Sequence, residues 1–587
     1  MTHKTKWMYT KMDYDFTPLG ETLGVEPQVV EILAKRGLHT AEAMRTYLSP
    51  AKESLQEPWL LKDIKKACEI ILLAKQNGEK VRIIGDYDVD GIMSTAILMK
   101  GFARLGVQAD YVIPDRIEDG YGIRSYMAKQ AKEDGISLIV TCDNGISAME
   151  AIACAKELGL QVVLTDHHDI PYVEKDGKKE YVIPPADAVV NPKQKDCPYP
   201  CKLLCGAAVA YKLVCALYEK EGKKMQEKDL LVFAAIATVC DVVPLVEENR
   251  TLVKYGLDRI HDTGNPGLDA LIRIKELSTK QIHAYHLGFV IGPCINAAGR
   301  IDTARLSLRM LLAENEEAEK LAKELADLNE KRKQITLQAE KAGIEAVESG
   351  ELASDKVLLV HLPDCHESIA GIVAGRIRER YYKPVFVVVD TQKGAKGSGR
   401  SIPQYSMYEE MNRCKELFTE FGGHPLAAGF SLPTENIPLL REKLNQLTNL
   451  NEEDLIEKIT VDAIVPLQDC HTKLVEDLAL LEPFGQGNKK PVFVATGVTL
   501  FRAALVGKNK NVLRLQVRQE GVRGNFTVVD FEGGDMLAAA LEERYDAGSF
   551  AKLMAGEEAY QMDVLYQPNN NVYNGVCSVE FIAKGYR

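Results

Sequence analysis

The chain is predicted to be an α/β protein, and three observations carry that prediction. From about residue 81, short apolar runs alternate with helical stretches, the pattern of a parallel sheet covered on both faces. A Pro-free run over 315–348, rich in Glu, Lys, Ala and Leu, predicts a long helix leading to a second, smaller α/β domain. Beyond about 457, short strand-like runs separated by turns predict a small β-barrel or sandwich. At 587 residues the chain is too long for one core, so three or four domains are expected.

In order, residues 1–60 read as a polar, partly helical lead. VRIIG (81–85) is the first strand, followed by an acidic loop and a helix from near Gly91. VQADYVIP (107–114) is the second, and SLIVT (137–141) the third, with Asp143 after it and a helix from Ser147. QVVLT (161–165) leads into Asp166-His167-His168, and ADAVV (186–190) is the fifth strand. LLVFAAIATVC (230–240) is apolar all round, as a buried helix should be, and Asp241 ends it. The 315–348 helix would be roughly 50 Å long, with Leu321, Leu325 and Leu328 as a one-sided stripe suited to a connector. KVLLVHL (356–362) and PVFVVV (384–389) are strands around a helix near 368–382. Glycine-rich KGAKGSGRS (393–401) and FGGH (421–424) follow, and LEPFGQGNKKPVF (481–493) marks the last unit. The expected domains are a lead at 1–60, an α/β domain at 61–314, a connecting helix at 315–350, a second α/β domain at 351–456 and a β domain at 457–587.

Composition narrows the function classes. Apolar content of 46% and charged content of 27% suit a globular protein. The opening MTHKTKWMYTKMDYDF has no apolar signal core, and no apolar run reaches about 18 residues, so no membrane span and a cytoplasmic location are expected. Thirteen scattered cysteines fit reduced thiols. Cys197, Cys201 and Cys205 lack the paired spacing and fourth ligand of a zinc site. A net charge of −12 argues against a nucleic-acid coat protein. An enzyme acting on nucleic acid stays open, because carboxylates also bind cations.

Four clusters sit at the ends of apolar runs: Asp86-Tyr87-Asp88-Val89-Asp90-Gly91, Asp143-Asn144-Gly145, Asp166-His167-His168 and Asp241-Val242-Val243-Pro244. Strand exits are where open α/β sheets hold ligands. Carboxylates with one or two histidines form a hard O/N site for Mn²⁺ or Mg²⁺. Two such ions hydrolyse phosphoesters by activating water and stabilising the departing oxygen. The first cluster begins like an EF-hand, yet its twelfth position is Ile97 and a strand precedes it. Single Asp residues in such places are ordinarily caps or turns, so the conjunction carries the signal. No P-loop, dinucleotide fingerprint or Ser-His-Asp pattern competes.

Further segments suit the phosphate side. In GSGRS, glycine N–H groups would approach an anion and Arg400 would pair with phosphate, an ordinary turn being the competing reading. His424 in GGH is read likewise. GPCINAAGR (292–300) offers Asn296 and Arg300. Residues 500–525 carry Arg502, Lys508, Lys510, Arg514, Arg518 and Arg523 against only Glu520, a stripe suited to a single-strand backbone or to plain solvation.

DYDVDG, DNG, TDHH and DVVP, in this order, resemble the four motifs of the DHH phosphoesterases. GPCINAAGR, HESIAGIVAGRI (366–377), GSGRS, GGH and EPFGQGNKKPVF narrow the resemblance to the RecJ family of single-strand-specific DNA exonucleases. The resemblance implies a DHH domain holding two Mn²⁺ or Mg²⁺ ions, a long helix, a DHH-associated domain and a C-terminal OB-fold. It further implies 5′→3′ degradation of single-stranded DNA to mononucleotides in recombination and repair. Asp88 would ligate one metal, and Asp90, His167 and Asp241 the other, with Asp143 bridging. Asp86 would sit behind them. His168 would touch the scissile phosphate or protonate the leaving oxygen. His366, Arg400 and His424 from the associated domain, together with Asn296 and Arg300, would hold phosphate, while Lys508, Lys510 and Arg514 would hold the strand. Cys294 stands where the family pattern has Arg. Expected partners are single-stranded DNA, a single-strand-binding protein and a RecQ-type helicase, with the chain a monomer. Two alternatives stand beside this reading: a DHH enzyme for small substrates, disfavoured by chain length and the β domain, and a non-enzymatic scaffold, disfavoured by the full set of metal-type residues.

Overall fold

The computed structural model describes residues 3–51, 54–116, 118–175, 177–225, 228–508, 510–573 and 576–587. The chain divides into two compact units. One holds Pro50–Lys333 with Pro483–Lys489; the other holds Met1–Ser49, Gln334–Glu482 and Lys490–Arg587.

The first unit is built on a five-stranded parallel sheet. Its order is Ala109–Val112, Val81–Ile84, Leu138–Cys142, Gln161–Thr165, Ala188–Val190. Val81–Ile84 and Leu138–Cys142 are buried along their whole length, which is why they read as predominantly apolar runs; the one charge, Arg82, is buried in ion pairs with Asp110 and Asp134. After the first strand the chain adds its second on one side and its third on the other. The topological switch therefore lies between Val81–Ile84 and Leu138–Cys142, where such sheets open a crevice at their carboxyl ends. Asp86–Asp90 and Asp143 follow these two strands. Helix Val89–Leu105 packs on Gly206–Lys220 and on Lys228–Cys240, apolar beyond its first two residues but for Thr238, and Gly101 lets Val214 approach closely. An exposed hairpin, Tyr172–Lys175 with Lys178–Tyr181, was not anticipated from sequence. Pro483–Lys489, expected with the last β unit, packs in this unit: Leu245 donates its N–H to the Gln486 carbonyl at 2.7 Å.

The connecting helix runs Asn315–Glu348, the extent its composition predicts. Leu321 and Leu325 are buried in the core of the first unit, and Leu328 is half-buried against it.

The second unit contains a mixed sheet of order Glu420–His424, Ala427–Leu432, Gly394–Arg400, Val385–Thr391, Leu358–His361. Here the glycine-rich GSGR segment is neither a phosphate loop nor a turn. It is a central strand, paired on both sides, so ladder bonds occupy its backbone. Its glycines serve packing: a Cβ on Gly397 would sit 2.0 Å from Phe430, and one on Gly399 would sit 2.2 Å from Met407 Sδ. The C-terminal strands Phe493–Val506, Val512–Gln519, Phe526–Asp530, Val576–Tyr586 and Tyr560–Tyr573 pair in turn, and the last returns to the first, closing a five-stranded barrel. The lead contributes a strand, Thr5–Tyr9, parallel to Glu457–Val461. Among the described residues no helix is long and apolar enough to cross a membrane.

Candidate metal centre

The acidic loop is folded tightly onto the helix it starts. Asp88 caps helix Val89–Leu105, accepting the Gly91 N–H at 3.1 Å. Gly91 must lack a side chain, because a Cβ there would lie 2.5 Å from the Asp86 carbonyl oxygen. Asp90 occupies the first turn, and its two oxygens accept the N–H groups of Gly206 at 2.6 Å and Ala207 at 2.7 Å. It thus satisfies the open N-terminus of helix Gly206–Lys220 and benefits from its dipole. Asp143 leaves its strand at φ +61°, a left-handed conformation that costs energy outside glycine and clusters at functional sites. Gly206 makes room for it: a Cβ would lie 2.6 Å from Asp143 Cβ.

These elements bring together the side chains that the motifs single out. His167 Nε2 lies 3.1 Å from Asp143 Oδ1, 3.5 Å from Asp90 Oδ2 and 3.7 Å from Asp241 Oδ2. Two groups could each hold an ion, Asp143–His167–His168 and Asp90–His167–Asp241. Asp143 Oδ1 and His167 Nε2 are buried yet have no hydrogen-bond partner. Orphaned buried polar atoms of this kind are costly unless a ligand completes them. The donor set, carboxylates plus imidazole, fits a hard divalent cation.

Electrostatics point the same way. Burial, and then the neighbouring Asp88, pushes Asp86 up to about 8; burial, and then Asp90, does the same for Asp241. Asp88 and Asp143 are raised by burial and by the carboxylates around them. A site that penalises several adjacent negative charges is relieved by cations. Burial lowers His167, favouring the neutral imidazole that binds metal. Burial also opposes protonation of His168, but its 2.7 Å hydrogen bond with Asp166 prevails and lifts it to about 9. Asp166 is held down in turn, against its burial, by His168 and by the Ile146 N–H at 2.9 Å.

Sequence reasoning missed Tyr121 and Arg116, and named Asn144 only as part of its cluster. Tyr121 donates its hydroxyl to the Asp143 carbonyl at 2.6 Å and lies 3.0 Å from His168 Nδ1. Asn144 donates to the carbonyls of Ile84 and Cys142 and accepts the Ile123 N–H, tying the first and third strand ends together. The Arg116 guanidinium lies 4.1 Å over the Tyr87 ring, and its charge favours ionised Asp86 and Asp88. Tyr121 and Arg116 stand outside every motif, and only the tertiary fold brings them here.

Asn296 and Arg300 lie four apart, on one face of helix Gly292–Ile301. That helix packs against the acidic loop: a Cβ on Gly299 would sit 3.0 Å from the Tyr87 carbonyl oxygen. Asn296 Oδ1 is buried without a partner. Cys294 faces inward, its sulfur 3.2 Å from the Val290 carbonyl and taking a bond from Asn329 at 3.2 Å. Cys197, Cys201 and Cys205 are buried thiols and, among the described residues, form no metal-holding group. His366, Arg400 and His424 belong to the other unit. His366 accepts the Ser368 N–H at 3.3 Å, Arg400 ends its strand half-buried, and His424 is exposed. On the barrel, Lys508, Lys510 and Arg514 are exposed, Arg514 alternating with buried Leu513 and Leu515.

Three family profiles match the chain: the DHH family N-terminal domain over 80–238, the DHHA1 domain over 354–450 and the RecJ OB domain over 461–585. The single-stranded-DNA-specific exonuclease RecJ of Bacillus subtilis (strain 168) is 36% identical over 91% of this chain and 67% of its own length. The protein of the same name from Escherichia coli (strain K12) is 33% identical over 85% of this chain and 87% of its own. Among solved structures, RecJ of Thermus thermophilus in complex with Mn²⁺ superposes with a TM-score of 0.81 at 28% identity, over 100% of this chain and 80% of that one. Its complex with Mg²⁺ gives a TM-score of 0.76 at 26% identity, over 100% of this chain and 78% of that one.

Proposed function

This chain belongs to the RecJ family of DHH phosphoesterases, and from that premise we propose that it is a metal-dependent 5′→3′ exonuclease releasing mononucleotides from single-stranded DNA. The observation that carries the chemistry is the buried, unpartnered Asp143 Oδ1–His167 Nε2 pair ringed by raised carboxylates. Asp88 would hold one ion, Asp90, His167 and Asp241 the second, with Asp143 shared and Asp86 behind them. Divalent ions held there, Mn²⁺ or Mg²⁺ being the ions in the Thermus complexes, would supply a nucleophile from water and neutralise charge on the reacting phosphoryl group.

The chain's own residues do the rest. The helix N-terminus at Gly206–Ala207 fixes both oxygens of Asp90, leaving that carboxylate one orientation. Asp166 fixes the His168 ring and raises its affinity for a proton, so it would pair with phosphate or give a proton to the departing 3′-oxygen. Tyr121 steadies both His168 and the Asp143 peptide. Asn296, Arg300, His366, Arg400 and His424 would hold phosphate, and the barrel would grip the following strand through Lys508, Lys510 and Arg514. Recombination and repair, assisted by a single-strand-binding protein and a RecQ-type helicase, would be the setting.

The test is Mn²⁺-dependent digestion of 5′-blocked, 3′-blocked and duplex DNA, with a dinucleotide alongside. Mononucleotides from the 3′-blocked single strand only are expected. Cleavage of the dinucleotide alone, with long strands untouched, would replace this reading with a small-substrate phosphodiesterase.

A further inference from the structure

We propose that Tyr285 and Phe289 form a base-stacking platform that receives the unpaired strand beside the metal centre; this rests on the single-strand exonuclease reading above. The two side chains are 63% and 69% exposed, unusual for aromatic rings on a folded surface. They stack on each other with centroids 5.0 Å apart and planes at 22°. An exposed pair of near-parallel rings offers open π-faces, and every base has one to match.

Their support is rigid. His283 and His286 cap each other across the short helix Ala284–His286, and His286 packs edge-on against Tyr285. The next five residues, Leu287–Ile291, form a π-helical turn, a distortion found mostly at functional sites. The glycines of this segment sit against the helix that leads into Asp241. A Cβ on Gly288 would lie 3.3 Å from Val239, and one on Gly292 would lie 2.4 Å from Cys240 Sγ. The next residue after Cys240 is Asp241. Helix Gly292–Ile301 then continues directly to Asn296 and Arg300.

Charge identifies the occupant. From Leu277 to Ile301 the sequence carries Lys280, His283, His286 and Arg300 and no carboxylate side chain, in a chain of net charge −12. An aromatic segment without a carboxylate suits a polyanion with flat apolar faces, which single-stranded nucleic acid is.

The test measures binding of the full chain, without divalent ions, to a labelled single-stranded oligonucleotide and to the same strand with abasic residues. Tyr285→Ala/Phe289→Ala should weaken binding to the intact strand by about tenfold or more. The parent should show a similar loss on the abasic strand, where the variant loses nothing further. The salt slope should stay the same, because every phosphate partner is still present. Tyr285→Phe/Phe289→Trp should keep the affinity, separating stacking from misfolding. Equal affinity of the Ala variant and the parent overturns the platform alone, as does an equal Ala-variant loss on intact and abasic strands. A parent chain that neither binds nor degrades single strands overturns the exonuclease reading itself.

Discussion

The parallel five-stranded sheet and the mixed five-stranded sheet use glycine for different purposes. At the parallel sheet, Gly91 leaves space for the Asp86 backbone and Gly206 leaves space for the Asp143 side chain, both at the candidate metal centre. In the mixed sheet, Gly397 and Gly399 leave space for Phe430 and Met407, which are core. The glycine-rich sequence that looked most like a ligand loop is thus a packed strand, while an inconspicuous glycine after CPYPCKLLC shapes the centre. A glycine reports close approach, and the approaching atom decides whether the approach is chemistry or packing.

The sharpest break of this comparison is Asp143→Ala. Removing the shared carboxylate should lower Mn²⁺-dependent cleavage roughly a thousandfold or more, while the protein stays folded. Near-normal cleavage would end the two-ion assignment. Next come the glycines. Gly206→Ala should displace Asp143 and cost about 10–100-fold in activity or metal affinity. Gly397→Ala should instead destabilise by about 1–3 kcal/mol through overpacking, with near-normal activity per folded molecule. Paired melting and activity measurements would show the two effects exchanged if the comparison is wrong.

A pH series tests the electrostatics of the centre. Asp86 and Asp241 are raised from the usual carboxylate range to about 8. Between those limits the folded chain keeps protons that the unfolded chain has released, so metal-free stability should fall as pH rises from about 4 to 8. Divalent ions should restore more stability at pH 8 than at pH 6, because they replace those protons. A metal-free melting temperature rising through this window would contradict the crowded-carboxylate picture. The smallest expected effect lies on the barrel. Neutralising Lys508, Lys510 and Arg514 should weaken binding of long single strands and reduce the salt slope by about 0.7 for each phosphate no longer neutralised. An unchanged slope would leave these residues as solvated surface.

Much of the fold was legible because local patterns carry it. Strands buried on both faces of a parallel sheet are predominantly apolar, and VRIIG, SLIVT and QVVLT each carry a core of three or more apolar residues. The connecting helix announced its extent through composition alone. The acidic and histidine residues were legible for a related reason: parallel strands all exit at one edge, so residues just after them converge whatever the details. What convergence could not supply was the identity of the supporting groups. Tyr121, Arg116 and Gly206 reach the centre from loops and a helix end that carry no local signal, and the ladder pairing of GSGR depends on strands distant in sequence. The sequence by itself determined the class of elements and the chemistry gathered at the sheet edge, because both follow from short-range periodicity and residue type. Only the tertiary structure decided that Gly206 faces Asp143, that Tyr121 reaches His168, and that the segment carrying the exposed aromatic pair packs on the helix that leads into Asp241. Those outcomes depend on distances of a few ångströms between segments that the chain order keeps far apart.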